Sequence, residues 1–190
     1  MFPLLRCRRL CIVAGVVAAA AVGPGAYPQS SAAPTADQVK AVYLHKFAGY
    51  VDWPPKVFAD STAPFVVGVV GADNVYSELA RLVAGRTVQG RAVEVRRLAR
   101  GEAAGAVHVV YIGRELGVEA AAGIVAGYKG RPVLTVTDLP RGIDAGAALN
   151  FIESDRRVRF EAAPAVAEQG GLRLSSRLLA VAERVSGASP

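Results

Sequence analysis

Phe65-Val66-Val67-Gly68-Val69-Val70-Gly71-Ala72-Asp73 decides the fold. The six residues from Phe65 to Val70 carry no polar side chain, and four of them are valine. A β-branched run of that length fits a strand buried on both faces, and such strands belong to sheets covered on both sides. A helical pattern then opens at Asp73 and runs to Val83. Working outward, strand patterns recur at 92–98, 107–112 and 132–136, with another helical pattern at 116–126. Strands that alternate with helices imply right-handed crossovers and a mostly parallel sheet.

The two ends of the chain differ from this middle. Thr35 and Gln38 have the spacing of a capping box, and Val39, Val42, Tyr43, Phe47, Tyr50 and Val51 follow at helical spacing as one apolar stripe. Pro54 and Pro55 end that helix, since neither offers an N–H. Toward the C-terminus, 147–153 and 157–161 are joined by the short polar gap Ser154, Asp155 and Arg156, which predicts a β-hairpin. Two short helices are expected at 164–169 and 176–185. The fold class is therefore α/β, with a mostly parallel central sheet flanked by helices. The expectation is a three-layer, Rossmann-like domain with a C-terminal β-hairpin.

The first residues suggest where the chain works. Arg6, Arg8 and Arg9 precede an uncharged run from Leu10 to Val22, and small residues follow at Gly23, Gly25 and Ala26. This is the layout of a cleaved export signal, too short to span a bilayer as a stable helix. The expected organisation is a signal peptide at 1–26, a flexible lead-in at 27–36 and one domain at 37–186, acting in the periplasm. Cys7 and Cys11 both fall in the signal, so the exported chain has no thiol chemistry. Removing the three arginines lowers the formal charge from +6 to +3. That value, with scattered arginines, argues against nucleic acid as a partner.

Several segments, taken in order, carry a resemblance. Val39 to Pro54 reads V-K-A-V-Y-L-H-K-F-A-G-Y-V-D-W-P, and Arg157 to Ala182 reads R-V-R-F-E-A-A-P-A-V-A-E-Q-G-G-L-R-L-S-S-R-L-L-A-V-A. Between them lie V-G-V-V-G from Val67 and P-V-L-T-V-T-D from Pro132. This arrangement resembles the YfiR-type (YfiR/HmsC-like) family of periplasmic regulatory proteins. The resemblance implies an α/β domain, often dimeric, that acts without catalysis. It further implies binding to the periplasmic part of an inner-membrane diguanylate cyclase, which is held inactive so that cyclic-di-GMP and biofilm output are limited. Members commonly carry cysteines within the domain, including near the strand holding His108, and this chain has none there.

The residues give little support to catalysis. His45 and His108 sit on different elements, and no H-E-x-x-H or G-x-S-x-G pattern occurs. No catalytic residue, metal ligand or cofactor is expected, and His108 reads as a hydrogen-bonded core histidine. For a small molecule, Gly71 and Asp73 lie where a parallel strand passes into a helix, and Asp138 begins the loop after another strand. Open α/β sheets place ligands at such carboxyl ends, although Gly71 serves a plain tight turn equally well. For a partner protein, strict alternation puts Arg157, Arg159 and Glu161 on one face, with Arg159 and Glu161 able to pair at the surface. Phe151 on the facing strand and Trp53 beside Pro54 complete the candidate partner-binding set. The alternative reading is a periplasmic small-molecule-binding module serving a transporter or sensor kinase.

Overall fold

The computed structural model describes residues 33–102, 106–155 and 157–187. The signal peptide expected at 1–26 and residues 27–32 of the lead-in lie outside the described residues, as does Arg156 of the polar gap. The first helix, α1 (Ala36–Gly49), begins on the capping box: Gln38 N–H donates to Thr35 Oγ1 at 3.3 Å, and Thr35 N–H donates to Gln38 Oε1 at 3.0 Å.

The buried face of α1 departs from the expected stripe. Lys40, Ala41, Leu44, Phe47 and Ala48 are buried, whereas Val42 and Tyr50 are exposed. The helix is turned so that its small and aliphatic line meets the sheet, and Lys40 goes inside because an acidic partner waits there. After α1 come β1 (Val51–Asp52), the proline stop, β2 (Phe65–Val70), α2 (Asp73–Val83), β3 (Thr87–Val88) and β4 (Arg91–Arg97). Then follow β5 (Val109–Ile112), α3 (Val118–Gly127), β6 (Leu134–Thr137), β7 (Leu149–Ser154) and β8 (Arg157–Ala162). The chain ends with α4 (Pro164–Gln169), β9 (Arg173–Leu174), α5 (Ser176–Leu179) and β10 (Arg184–Val185).

The main sheet has the order β10-β8-β7-β6-β5-β2-β4-β3. Neighbours from β4 through β2, β5 and β6 to β7 are all parallel. β8 runs antiparallel to β7, and β3 antiparallel to β4, so the sheet is mixed and mostly parallel. β1 and β9 form a separate antiparallel pair that ties the end of α1 to the C-terminal segment.

The helix expected over 176–185 is corrected. Only Ser176–Leu179 is α-helical, and Arg184–Val185 instead adds a strand to the outer edge of β8. Glu183 N–H donates to the Phe160 carbonyl and Ser186 N–H to the Ala162 carbonyl, both at 2.8 Å. Ala180, Ala182, Glu183 and Arg184 are good helix formers, so tertiary pairing overrides local propensity here: the unpaired groups on the edge of β8 gain partners from the added strand.

Burial follows strand alternation. Phe65, Val67 and Val69 of β2, with Val109 and Tyr111 of β5, join one apolar cluster with α1 and α2. Val66 and Val70, with Val110 and Ile112, join a second cluster with Ala121 and Val125 of α3. β2 is buried along its whole length, which is why its sequence shows no polar alternation.

The chain order reverses direction in the sheet beside β2. From β2 the chain passes through α2 to β3 and β4 on one side, and returns to place β5 on the other. The turn after β2 leads to one helical cluster and the turn after β5 to the other. A crevice therefore opens between them at the carboxyl ends of the strands.

Candidate functional site

The crevice is lined by Gly71, Ala72 and Asn74 after β2, by Gly113 and Arg114 after β5, and by Asp138 after β6. Lys40 of α1 and Tyr111 of β5 close it from the side of the first cluster, leaving a hollow of about 180 Å³. The two turns nearly touch. A Cβ built on Gly113 would stand 2.2 Å from the Gly71 carbonyl oxygen, so only glycine permits this approach. Gly71 itself adopts φ +60°, and a side chain there would meet Leu116.

Asp138 is the centre of the polar set. Lys40 Nζ donates to its Oδ2 at 2.7 Å, the Arg114 backbone N–H donates to Oδ1 at 2.7 Å, and Arg114 Nε donates to Oδ2 at 3.0 Å. Lys40 is 3% exposed and Asp138 7%, so this ion pair lies inside the protein. Burial alone would push the Asp138 carboxyl up, but Lys40 and then Arg114 outweigh it and hold the group below the usual carboxylate range. Tyr111 moves the other way: burial first, then the Asp138 carboxylate beside it, push its phenol up and keep it protonated. The far end of Arg114 reaches Glu153 at the end of β7.

This set can hold and orient a molecule but is poorly suited to proton transfer. Asp138 already accepts from an ammonium and a guanidinium, which leaves it ionised and a weak base at neutral pH. Among the described residues, no group of three or more His, Cys, Asp and Glu side chains is placed to hold a metal ion. No helix among them is long and apolar enough to cross a membrane.

A second polar system lies along the β7–β8–β10 edge. Thr137 Oγ1 donates to Asn150 Oδ1 at 2.7 Å, and Asn150 Nδ2 donates to the Leu139 carbonyl at 3.2 Å and to Glu161 Oε2 at 3.4 Å. Glu161 Oε1 meets Arg184 Nη2 at 2.6 Å. The expected surface pair of Arg159 with Glu161 is corrected: Arg159 bonds Glu183, and Glu161 bonds Arg184 and Asn150. The added strand β10 supplies Arg184 and the residue preceding it supplies Glu183, so each hairpin charge finds a closer partner than its neighbour two residues along.

The remaining sequence candidates fall in different places. Gly71 and Asp138 line the same hollow, whereas Asp73 lies outside it, exposed and paired with Arg97 at 3.1 Å. Phe151 is buried against Tyr43, Phe47 and Phe160. Trp53 is buried too, its Nε1–H donating to the Ala48 carbonyl at 3.2 Å and its ring meeting Phe65 edge-on. Neither side chain offers a surface. His108 is a core residue: its Nδ1 accepts from the Val66 N–H at 3.0 Å, and its ring stacks against both Phe58 and Phe65.

Lys40, Arg114, Asn150 and Arg184 are polar contributors that sequence reasoning did not single out. Lys40 had a usable signal, since a lysine flanked by Ala41 and Leu44 on a helix is buried only when an acid meets it. Arg114 and Arg184 look like any surface arginine in sequence, and their roles come from tertiary pairing. Asn150 sits in an apolar strand between Leu149 and Phe151, where a buried amide signals a hydrogen-bonded network.

No curated protein matches the chain. The sequence profile of the YfiR/HmsC-like family does, over residues 37–183. That span takes in nearly all of α1, the whole main sheet up to β8, the crevice with its buried Lys40–Asp138 pair, and Glu183 beside β10. Matched from its first helix through β8 to the residue before β10, the chain belongs to the YfiR/HmsC-like family.

Proposed function

We propose that this protein is a periplasmic, non-enzymatic regulator that binds and represses the periplasmic part of an inner-membrane diguanylate cyclase, limiting cyclic-di-GMP and biofilm output. Family membership over residues 37–183 is the observation that carries the reading. The proposal takes residues 1–26 as an export signal removed on the way, and 37–186 as a three-layer, Rossmann-like domain that works as a homodimer. The β7–β8 hairpin with β10 would be the contact surface, with Arg159 facing the partner and buried Glu161 holding Arg184 at that surface. Phe151 would support that surface from behind, and Trp53 would brace the end of α1. Repression requires only that the bound protein prefer the cyclase's inactive state; its differential affinity sets how far the population moves.

Deleting the gene should raise cellular cyclic-di-GMP and surface attachment, and unchanged levels would sink the reading. Arg159→Glu is the sharper probe, because its side chain is 39% exposed and pairs with the equally exposed Glu183. The variant should keep its melting temperature, lose co-purification with the membrane cyclase and raise cyclic-di-GMP.

A second reading draws support from Gly71 and Asp138 lining one hollow. It makes the protein a periplasmic small-molecule-binding module serving a transporter or sensor kinase. A ligand that raises the melting temperature, together with cyclic-di-GMP unaffected by deletion, would favour it.

A further inference from the structure

Among the described arginines, Arg114 is held in an unusual way. Its backbone N–H and Nε both donate to buried Asp138, which fixes the plane of the guanidinium, yet half of the side chain is exposed. Nη2 donates to Glu153, whose side chain is also half exposed, and Nη1 carries no hydrogen bond among the described residues. The Nη1–Nη2 edge, the geometry that takes a carboxylate through two parallel bonds, is therefore met by a single carboxylate contact from the chain itself.

The same three residues, Arg114, Asp138 and Glu153, line two neighbouring hollows. One is the 180 Å³ crevice already described; the other, of about 410 Å³, runs over Leu139, Pro140, Phe151 and Ile152. The Arg114–Glu153 bridge stands between them, and the larger space is of a size that takes a small ligand. Charged side chains ring this space, and Pro140 and Ile152 give it an apolar patch beside the fixed guanidinium, which suits a molecule with one anionic end and a short hydrocarbon body. Arg141 and Arg184 also line the larger hollow, but Arg141 is paired with Asp144 and Arg184 with Glu161, and Asp37 and Glu115 line the smaller one, so a second negative charge meets acid and no unpaired cation.

We propose that Arg114 anchors a binding site for small monocarboxylates with an apolar body, and that Glu153 occupies this anchor intramolecularly until the ligand displaces it. The proposal rests on the crevice of the second reading and names its anchor and ligand class; it does not depend on the cyclase. Capture of the ligand frees Glu153 at the end of β7, the strand paired with β8 along the proposed contact surface.

The test is calorimetric titration of protein purified from cells expressing the full chain, with hexanoate as probe and 1-hexanol and inorganic phosphate as controls. Glu153→Gln removes an exposed competitor worth under about 1 kcal/mol, so hexanoate should bind about two- to fivefold more tightly. Arg114→Lys keeps the charge but loses the fork, and should bind about tenfold more weakly. Hexanol and phosphate should bind neither form measurably. Equal binding of hexanol and hexanoate would overturn the Arg114 anchor while leaving the crevice as a binding place. Hexanoate affinity unchanged by Glu153→Gln would overturn the intramolecular occupant, and an absence of binding to either form would remove the site altogether.

Discussion

Asp138→Asn should be one of the most damaging single changes in this protein, even though it removes only one charge. The substitution leaves the Lys40 ammonium, 3% exposed, with only the partly exposed Asp37 carboxylate at 4.0 Å in place of the buried one at 2.7 Å. Breaking a buried pair from one side costs about 3–5 kcal/mol, because the surviving charge keeps its desolvation penalty. Urea unfolding should show the free energy falling by that amount, through a lower midpoint at unchanged slope. Lys40→Met combined with Asp138→Leu should recover much of the loss, since an apolar pair of similar volume avoids the penalty altogether. A double variant as unstable as Asp138→Asn would mean that Arg114, not Lys40, is the partner that matters. The same geometry explains why the residue was readable only in part. Its place at the end of a strand marked it for the crevice, but the identity of its cation lay 98 residues away in sequence.

At the scale of elements, Thr35→Ala tests how much α1 depends on its start. Thr35 Oγ1 takes one of the N–H groups that the first turn leaves unpaired, and Gln38 returns the favour to Thr35 N–H. Loss of the hydroxyl should cost about 1 kcal/mol, measured as a shift in the urea midpoint. Because α1 delivers Lys40 to Asp138, the variant should also loosen the crevice, seen as faster amide exchange at Arg114. Long elements with a strong local signal, such as β2 and α2, were legible to the residue. The two-residue strands β1, β3, β9 and β10 were not, since each is too short for any pattern and exists only through its pairing, β3 and β10 on the edges of the main sheet and β1 and β9 with each other. β10 shows the consequence. Once it docks on β8, Glu161 and Arg159 each acquire a cross-strand neighbour, and the surface pair expected from alternation never forms. The rotation of α1 failed for a related reason: a stripe drawn through apolar residues alone passes over a buried lysine.

For the whole molecule, acid should act in two stages, both of the same sign. His108 is held below its ordinary value chiefly by burial against Phe58 and Phe65, which outweighs its backbone hydrogen bond with Val57, and to a smaller degree by the charges of Arg91 and Arg96. His45 is lowered as well, by burial and then by Arg86, and its Nδ1 is buried without a hydrogen-bond partner. For both, the unfolded chain takes up a proton near pH 6.5 while the native protein still resists it. Their contribution to stability is therefore complete above about pH 6.5 and is lost as pH falls toward and through the native values. Asp138 then follows. Its native value lies below the unfolded one of about 3.9, so the stability it brings is present above that pH and disappears as pH falls through the native value. The free energy of unfolding should thus decline from neutrality downward, first gently and then steeply. In the His45→Gln, His108→Gln double variant the absolute stability should be lower, because Val66 N–H loses its acceptor. The slope between about pH 7 and 5, however, should flatten, since neither site can then bind a proton. Denaturant titrations at stepped pH measure that slope directly. A double variant that keeps the full wild-type slope would place the upper transition on other groups and undo the assignment of His108 as a neutral core residue.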